Sequence, residues 1–213
     1  MKDVTKINRD TNVFITSDTH FGHNKPFIYE ARGYSSIDEH RDKIIEKINL
    51  KVGENDILIH LGDFCLNTSE EDFEKIISQI KCQNIHCLWG NHANPMKKIY
   101  RRQISKEFGR EDISVYPIKY KNIVFIGNQV DYIIYGKYVV LNHFPLDIWD
   151  YMKDGAFMLS GHSHYNYPKT RKDCSEGLIL DCGIDGHNDV YHFDEIISIM
   201  RTKKIKQVDH HRK

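Results

Sequence analysis

In the first half of the sequence, a short apolar run repeatedly ends in a polar cluster and gives way to a helical pattern. Runs at 12–16 (NVFIT), 56–60 (DILIH) and 84–89 read as buried strands. Between them, Ser36 and Glu39 form a capping box that opens a helix to about Leu50, with Ile37, Ile44, Ile45 and Ile48 near one face. Thr68 and Glu71 predict a second cap and a helix to about Ile80, with Phe73, Ile76, Ile77 and Ile80 inward. Asn94 followed by Pro95 predicts a third helix running towards Lys106. Strand, polar turn and helix in succession is the βαβ pattern of a parallel sheet with right-handed crossovers. The second half changes character. Strands are expected at 123–126, 129–135, 138–142, 156–160 and 178–182, with Gly136-Lys137 as a tight hairpin turn, a helical stretch at 147–152 and a last helix from Asp194. The 213 residues suit a single domain over 1–213, with no repeat or linker. The architecture expected is an α/β sandwich, with two sheets or one folded sheet and helices outside.

The polar clusters at the strand ends carry the chemistry. Asp18 and His20 follow the first strand, Asp63 the second, and Asn91 and His92 the third. His143 follows the strand ending at 142, and His162 and His164 follow the one ending at 160. In open α/β folds, loops at the carboxyl ends of strands converge on one crevice. Residues two apart on an extended backbone point to the same side, so each pair, Asp18 with His20 and His162 with His164, can enter one site. Glycines at 22, 62, 90 and 161 flank these groups where backbone must turn or approach closely. Oxygen and imidazole ligands without thiolate suit manganese, iron, zinc, nickel or cobalt. Taken singly, each element has an ordinary reading: Gly62-Asp63 as a turn, Asn91-His92 as a helix cap, His143 as a loop histidine. In this order, each at a strand end, they leave little to structure alone. His23 and Arg32 are further candidates for a phosphate oxygen, the alternatives being a loop histidine and a helix-ending cation. Asp185 and His187 are expected near the rim, His60 and His86 within the strands as structural residues, and His210 and His211 in an inert tail. Phe21, Phe27, Tyr29, Tyr165 and Tyr167 could supply an aromatic rim.

Composition narrows the partners. Thirty basic residues balance thirty acidic ones, so no global field argues for nucleic acid or a membrane surface. No apolar run approaches the roughly 20 residues that span a bilayer, and the N-terminal stretch is too polar for a secretory signal. The five cysteines contain no C-x-x-C pair and read as reduced thiols, so the cytoplasm is the expected location. The basic stretch at 201–213 is expected to be a solvated terminus.

The ordered set DTH (18–20), GD (62–63), GNH (90–92), NH (142–143) and GHSH (161–164) resembles the calcineurin-like metallophosphoesterases over about residues 13–185. SDTHFGH at 17–23, with Arg32 and HLGDF at 60–64, is similar to the small stand-alone bacterial and phage members. The resemblance implies a four-layer α/β sandwich of two mixed β-sheets flanked by helices, and a centre of two divalent ions, with manganese favoured. It further implies that Asp18, His20 and His164 hold one ion, that Asn91, His143 and His162 hold the other, and that Asp63 bridges both. His92 would face the substrate phosphate and serve as general acid. Family members commonly follow the GNH with an acidic residue that orients the histidine, and here Ala93 stands there. Two ions about 3.5–4 Å apart that activate a bridging hydroxide suit in-line attack on a phosphate ester. The expected activity is a metal-dependent phosphoesterase on a phosphodiester or nucleotide-type substrate, with Asp63 and His92 catalytic and His23, Arg32, Asn91 and His92 meeting the substrate. The rivals are a phosphomonoesterase and a non-catalytic metal-binding scaffold.

Overall fold

The structure, a computed structural model, describes residues 4–94, 96–110 and 116–206. Pro95 and most of the basic tail, with His210 and His211, lie outside the described residues. The strands are β1 (Thr5–Ile7), β2 (Val13–Thr16), β3 (Ile57–His60), β4 (Ile85–Leu88), β5 (Ile118–Tyr120), β6 (Ile123–Gly127), β7 (Gln129–Ile134), β8 (Lys137–Asn142), β9 (Phe157–Ser160), β10 (Ile179–Asp181) and β11 (Tyr191–His192). The helices are α1 (Pro26–Tyr29), α2 (Ile37–Lys51), α3 (Glu70–Gln79), α4 (Met96–Phe108), α5 (Ile184–His187) and α6 (Phe193–Met200). One sheet has six strands in the order β11-β2-β3-β4-β6-β5, and the other has five in the order β1-β7-β8-β9-β10. Both are mixed. In the first, β2, β3, β4 and β6 run parallel with antiparallel strands at either edge; in the second, β8, β9 and β10 run parallel.

Alternation along the strands builds the layers, because successive side chains point to opposite faces. Val13, Ile15, Ile59 and Leu61 face Val139, Leu141, Phe157, Leu159 and Leu180 in a core between the two sheets, which α6 closes with Phe193, Ile196 and Ile197. Phe14, Leu58, Ile85 and Cys87 point the other way, onto Ile44 and Ile48 of α2, Phe73 and Ile77 of α3 and Ile99 of α4. On the far face of the five-stranded sheet, Val140, Met158 and Ile179 are covered by Trp149, Met152 and Ala156. The expected α/β sandwich of two mixed sheets is the fold, and its fourth layer is thin.

Local expectations shift in four places. The helix expected at 147–152 is a single 3₁₀ turn, Met152–Asp154, its side chains anchored by Trp149 rather than by a helical stripe. The hairpin turns at Tyr135 and Gly136, both with positive φ (52° and 76°), so Lys137 already pairs with Ile134. The last helix starts one residue early, at Phe193. The second cap is Ser69, not Thr68. Ser69 Oγ accepts from Asp72 N at 3.0 Å, while Thr68 Oγ1 turns inward and donates to Phe21 O at 3.0 Å. Ser69→Ala should therefore lower stability by about 1 kcal/mol in urea unfolding; an unchanged midpoint would remove Ser69 as the cap.

Candidate metal centre

Because β2, β3 and β4 are parallel, their carboxyl ends share one edge of the six-stranded sheet, and β8, β9 and β10 deliver theirs at the facing edge of the other. The two edges are tied together: Ser17 bridges Gly183 across the sheets, and Ile184 N donates to Ser17 O at 3.1 Å. The loops are tied as well, with Asp18 N donating to Gly62 O at 3.1 Å and His20 N to Asp63 O at 3.0 Å. The candidate ligands thus leave two sheets and meet in one place.

They fall into two groups. In the first, Asp18, His20 and His164 each offer one ligand atom, all within 4.8 Å of one another. His20 Nε2 lies 3.4 Å from His164 Nε2 and 3.8 Å from Asp18 Oδ1. In the second, Asp63, His143 and His162 do the same. Asn91 joins this group: its Oδ1 lies 2.9 Å from His143 Nε2 and 3.0 Å from His162 Nδ1. One atom faces both groups, since Asp63 Oδ2 is 3.4 Å from His143 Nε2 and 3.9 Å from His20 Nε2.

The donor set fits divalent cations. Asp18 is fully buried, its Oδ2 accepts from His162 N at 2.9 Å, and its Oδ1 has no hydrogen-bond partner among the described residues. A buried carboxylate oxygen left bare beside imidazoles is costly unless a cation answers it. Burial raises the Asp18 carboxyl to about 6 despite nearby His143 and His164, and lowers the His20 imidazole to about 3. Burial also acts to raise Asp63, but the hydrogen bond and charge of His143 prevail and hold it at about 2. Burial opposes charge on His143 too, yet the Asp63 hydrogen bond lifts it above the ordinary imidazole value. The carbonyl of Leu61 accepts from His143 Nδ1 at 3.1 Å and Asp185 accepts from His164 Nδ1 at 2.7 Å, so each Nε2 is turned towards its own ligand group, as outer partners of metal-binding histidines do.

The backbone is bent to achieve this. Asp18, His20, Asp63, His162 and His164 all sit in the left-handed region, with φ between 45° and 64°. Non-glycine residues rarely adopt it, and strain of that kind persists where surrounding structure over-determines it. Gly90 and Gly161 make the close approaches possible: a Cβ on Gly90 would overlap Asp63 Oδ1, and one on Gly161 would overlap Ser17 Oγ and Asp18 Oδ2.

The remaining candidates are distributed as follows. His92 is exposed at the end of β4, its N–H donates to Asp63 Oδ1 at 2.8 Å, and its ring centroid is 5.8 Å from that of His20. Ala93 is buried among core residues of the α2–α4 layer, so the position after the GNH does not face the imidazole. His23 is buried with its ring 5.7 Å from His20, and burial lowers its pKa. Arg32 sits against the site, but its guanidinium is bonded to Asp185, His40 and backbone carbonyls. His187 turns away to Lys172 and Glu195 and stacks on Tyr191. His60 and His86 are held by Thr19 and Tyr132, in keeping with structural roles. Of the aromatic candidates, Phe21 is wholly buried and Phe27 is 68% exposed with its ring 5.5 Å from His23. Sequence reasoning missed Phe144, 45% exposed and packed 4.5 Å from His162. It also missed Asp181, which accepts from Tyr165 N at 3.0 Å and from Gly183 N at 2.7 Å and so fixes the loop carrying His162 and His164. The signal was present, a carboxylate ending an apolar strand, but it lay before the turn rather than after it.

A family model described as calcineurin-like phosphoesterase matches residues 11–208. No curated protein matches the chain. Among solved structures, the fold is similar to the crystal structure of AQ665, a protein of unknown function from Aquifex aeolicus, at 18% identity and a TM-score of 0.59. That likeness covers 89% of this chain and 99% of the other, and bears on the fold.

Proposed function

The chain belongs to the calcineurin-like phosphoesterase family, and from that premise we propose that it hydrolyses a phosphodiester or nucleotide-type ester at a centre for two divalent ions. Asp18, His20 and His164 would hold one ion, Asn91, His143 and His162 the other, and Asp63 both. The observation that carries this reading is the single oxygen Asp63 Oδ2, set between His143 Nε2 and His20 Nε2 at 3.4 and 3.9 Å. When bound, such a pair lowers the pKa of water and offsets charge on the phosphoryl oxygens, and manganese suits the oxygen and imidazole donors. His92, exposed beside Asp63, would protonate the leaving oxygen, and His23 and Asn91 would meet the substrate. A single domain over 1–213 and a location in the cytoplasm belong to the same proposal. The five cysteines are free, and among the described residues no helix is long and apolar enough to cross a membrane.

Two features favour a diester over a monoester. The Arg32 guanidinium, which would offset the extra charge of a terminal phosphate, is already engaged by Asp185. Exposed phenyl rings flank the two ligand groups: Phe27 beside His23, which itself neighbours His20, and Phe144 beside His143 and His162. Each can receive one organic substituent of a diester. Manganese-loaded protein should therefore show a higher kcat/KM on bis-p-nitrophenyl phosphate than on p-nitrophenyl phosphate. The reverse order would establish the monoesterase, and ion binding without hydrolysis of either would leave the scaffold reading. Phe27→Ala and Phe144→Ala should each raise KM about tenfold with kcat little changed, the loss of ~1–2 kcal/mol of stacking. Unaltered KM in both variants would remove the rings from substrate binding.

A further inference from the structure

The guanidinium of Arg32 has five N–H donors, and each has its own acceptor. Nε donates to Asp185 Oδ1 at 2.7 Å and Nη2 to Asp185 Oδ2 at 2.8 Å, a bidentate pair. Nη2 also donates to Asp18 O at 2.7 Å, and Nη1 to Thr19 O at 3.1 Å. The last donor of Nη1 meets His40 Nε2 at 2.8 Å. His40 is fully buried on α2, and the Arg32 side chain is only 5% exposed. No N–H is left for a phosphate oxygen.

What the five bonds hold is informative. The two carbonyls belong to the loop after β2, where Asp18 and His20 are bent to φ of 57° and 50°. Asp185, from the start of α5, carries the connection to the other sheet, because its Oδ2 also accepts from His164 Nδ1 at 2.7 Å. Asp18, His20 and His164 are the three members of the first ligand group. The second group shares one support with the first, His162 N on Asp18 Oδ2, but has two of its own, Leu61 O on His143 and Asn91 between the imidazoles. We propose that Arg32 and Asp185 are positioning residues that clasp the Asp18–His20–His164 group from both sheets, so that one of the two cation positions depends on them and the other does not. The proposal rests on the two-ion reading above and replaces the expectation that Arg32 binds substrate.

The test is manganese titration of chelator-treated full-length protein by calorimetry, with the electron paramagnetic resonance spectrum of the loaded form. Wild-type protein should take up two ions and show an exchange-coupled pair. Asp185→Asn, which keeps the volume, and Arg32→Lys, which keeps the charge, should each retain one ion at wild-type affinity. The second should weaken about 10–100-fold, the cost typical of losing an outer partner of a metal ligand, and an isolated-ion spectrum should replace the coupled one. A general structural defect would weaken both positions and lower the melting temperature of the ion-free protein, and that result overturns the proposal. So does a pair of variants that bind two ions normally but lose inhibition by inorganic phosphate, which would return Arg32 to the substrate. Should Arg32→Lys not fold, Asp185→Asn decides alone. Wild-type protein that binds no manganese would overturn the two-ion reading itself, an outcome distinct from either.

Discussion

Asparagine in place of Asp63 should abolish ester hydrolysis and empty both cation positions together. The side chain is 2% exposed, and its two oxygens have separate duties: Oδ1 accepts from His92 N, and Oδ2 lies between the two ligand groups. The substitution preserves shape, so the hydrogen bond to His92 N can survive. It removes a negative charge that faces both His20 and His143. A neutral amide oxygen is a far weaker partner for a pair of dications than a carboxylate. Activity should fall by at least about 10³-fold, the scale of losing a principal electrostatic element of an active site. Elemental analysis should find bound manganese falling from two ions towards none, while the ion-free variant melts close to ion-free wild type. Loss of a single ion would disprove the bridging assignment and leave Asp63 as a ligand of one group only.

Removing the His92 imidazole should have an effect that depends on the leaving group. The backbone of His92 is pinned by Asp63, yet its imidazole has no hydrogen-bond partner among the described residues, and Ala93 faces the core. No neighbour among the described residues fixes its tautomer, so its contribution should be proton delivery, with little electrostatic binding. General acid catalysis of this kind is worth about 10²–10⁴-fold. His92→Ala should show that loss on alkyl phosphodiesters, whose alkoxide cannot leave unprotonated, and a much smaller loss on p-nitrophenyl esters. Rates plotted against leaving-group pKa should become steeper in the variant. A uniform loss across all esters, with ion binding intact, would make His92 a substrate contact and not the acid.

The sequence made the centre legible because the strongest local signal, an apolar run stopped by a polar cluster, coincides with the place where parallel strands converge. Asp18, His20, Asp63, His143, His162 and His164 all follow such stops, and each joins one of the two ligand groups. Less legible were features set by tertiary partners. Edge strands β1, β5 and β11 are only two or three residues long and exist through their neighbours. Ser69 takes the cap because Thr68 is drawn to Phe21 O, 47 residues away. Arg32 offered a cation of the right chemistry for phosphate, but its acceptors are Asp185, 153 positions on, a histidine buried on α2, and the carbonyls of Asp18 and Thr19. No period or spacing encodes those meetings.

The division of candidate ligands between the sheets has a mechanical corollary. The six-stranded sheet supplies Asp18, His20, Asp63 and Asn91, and the five-stranded sheet His143, His162 and His164, so each ligand group straddles the seam. Any ion seated there would act as a further crosslink between halves of the sandwich, beside the backbone tie of Ser17 to Gly183 and Ile184. A fragment that kept one half would retain no complete set of candidate ligands, and loss of either ion should be felt as looser amide protection along both facing edges at once.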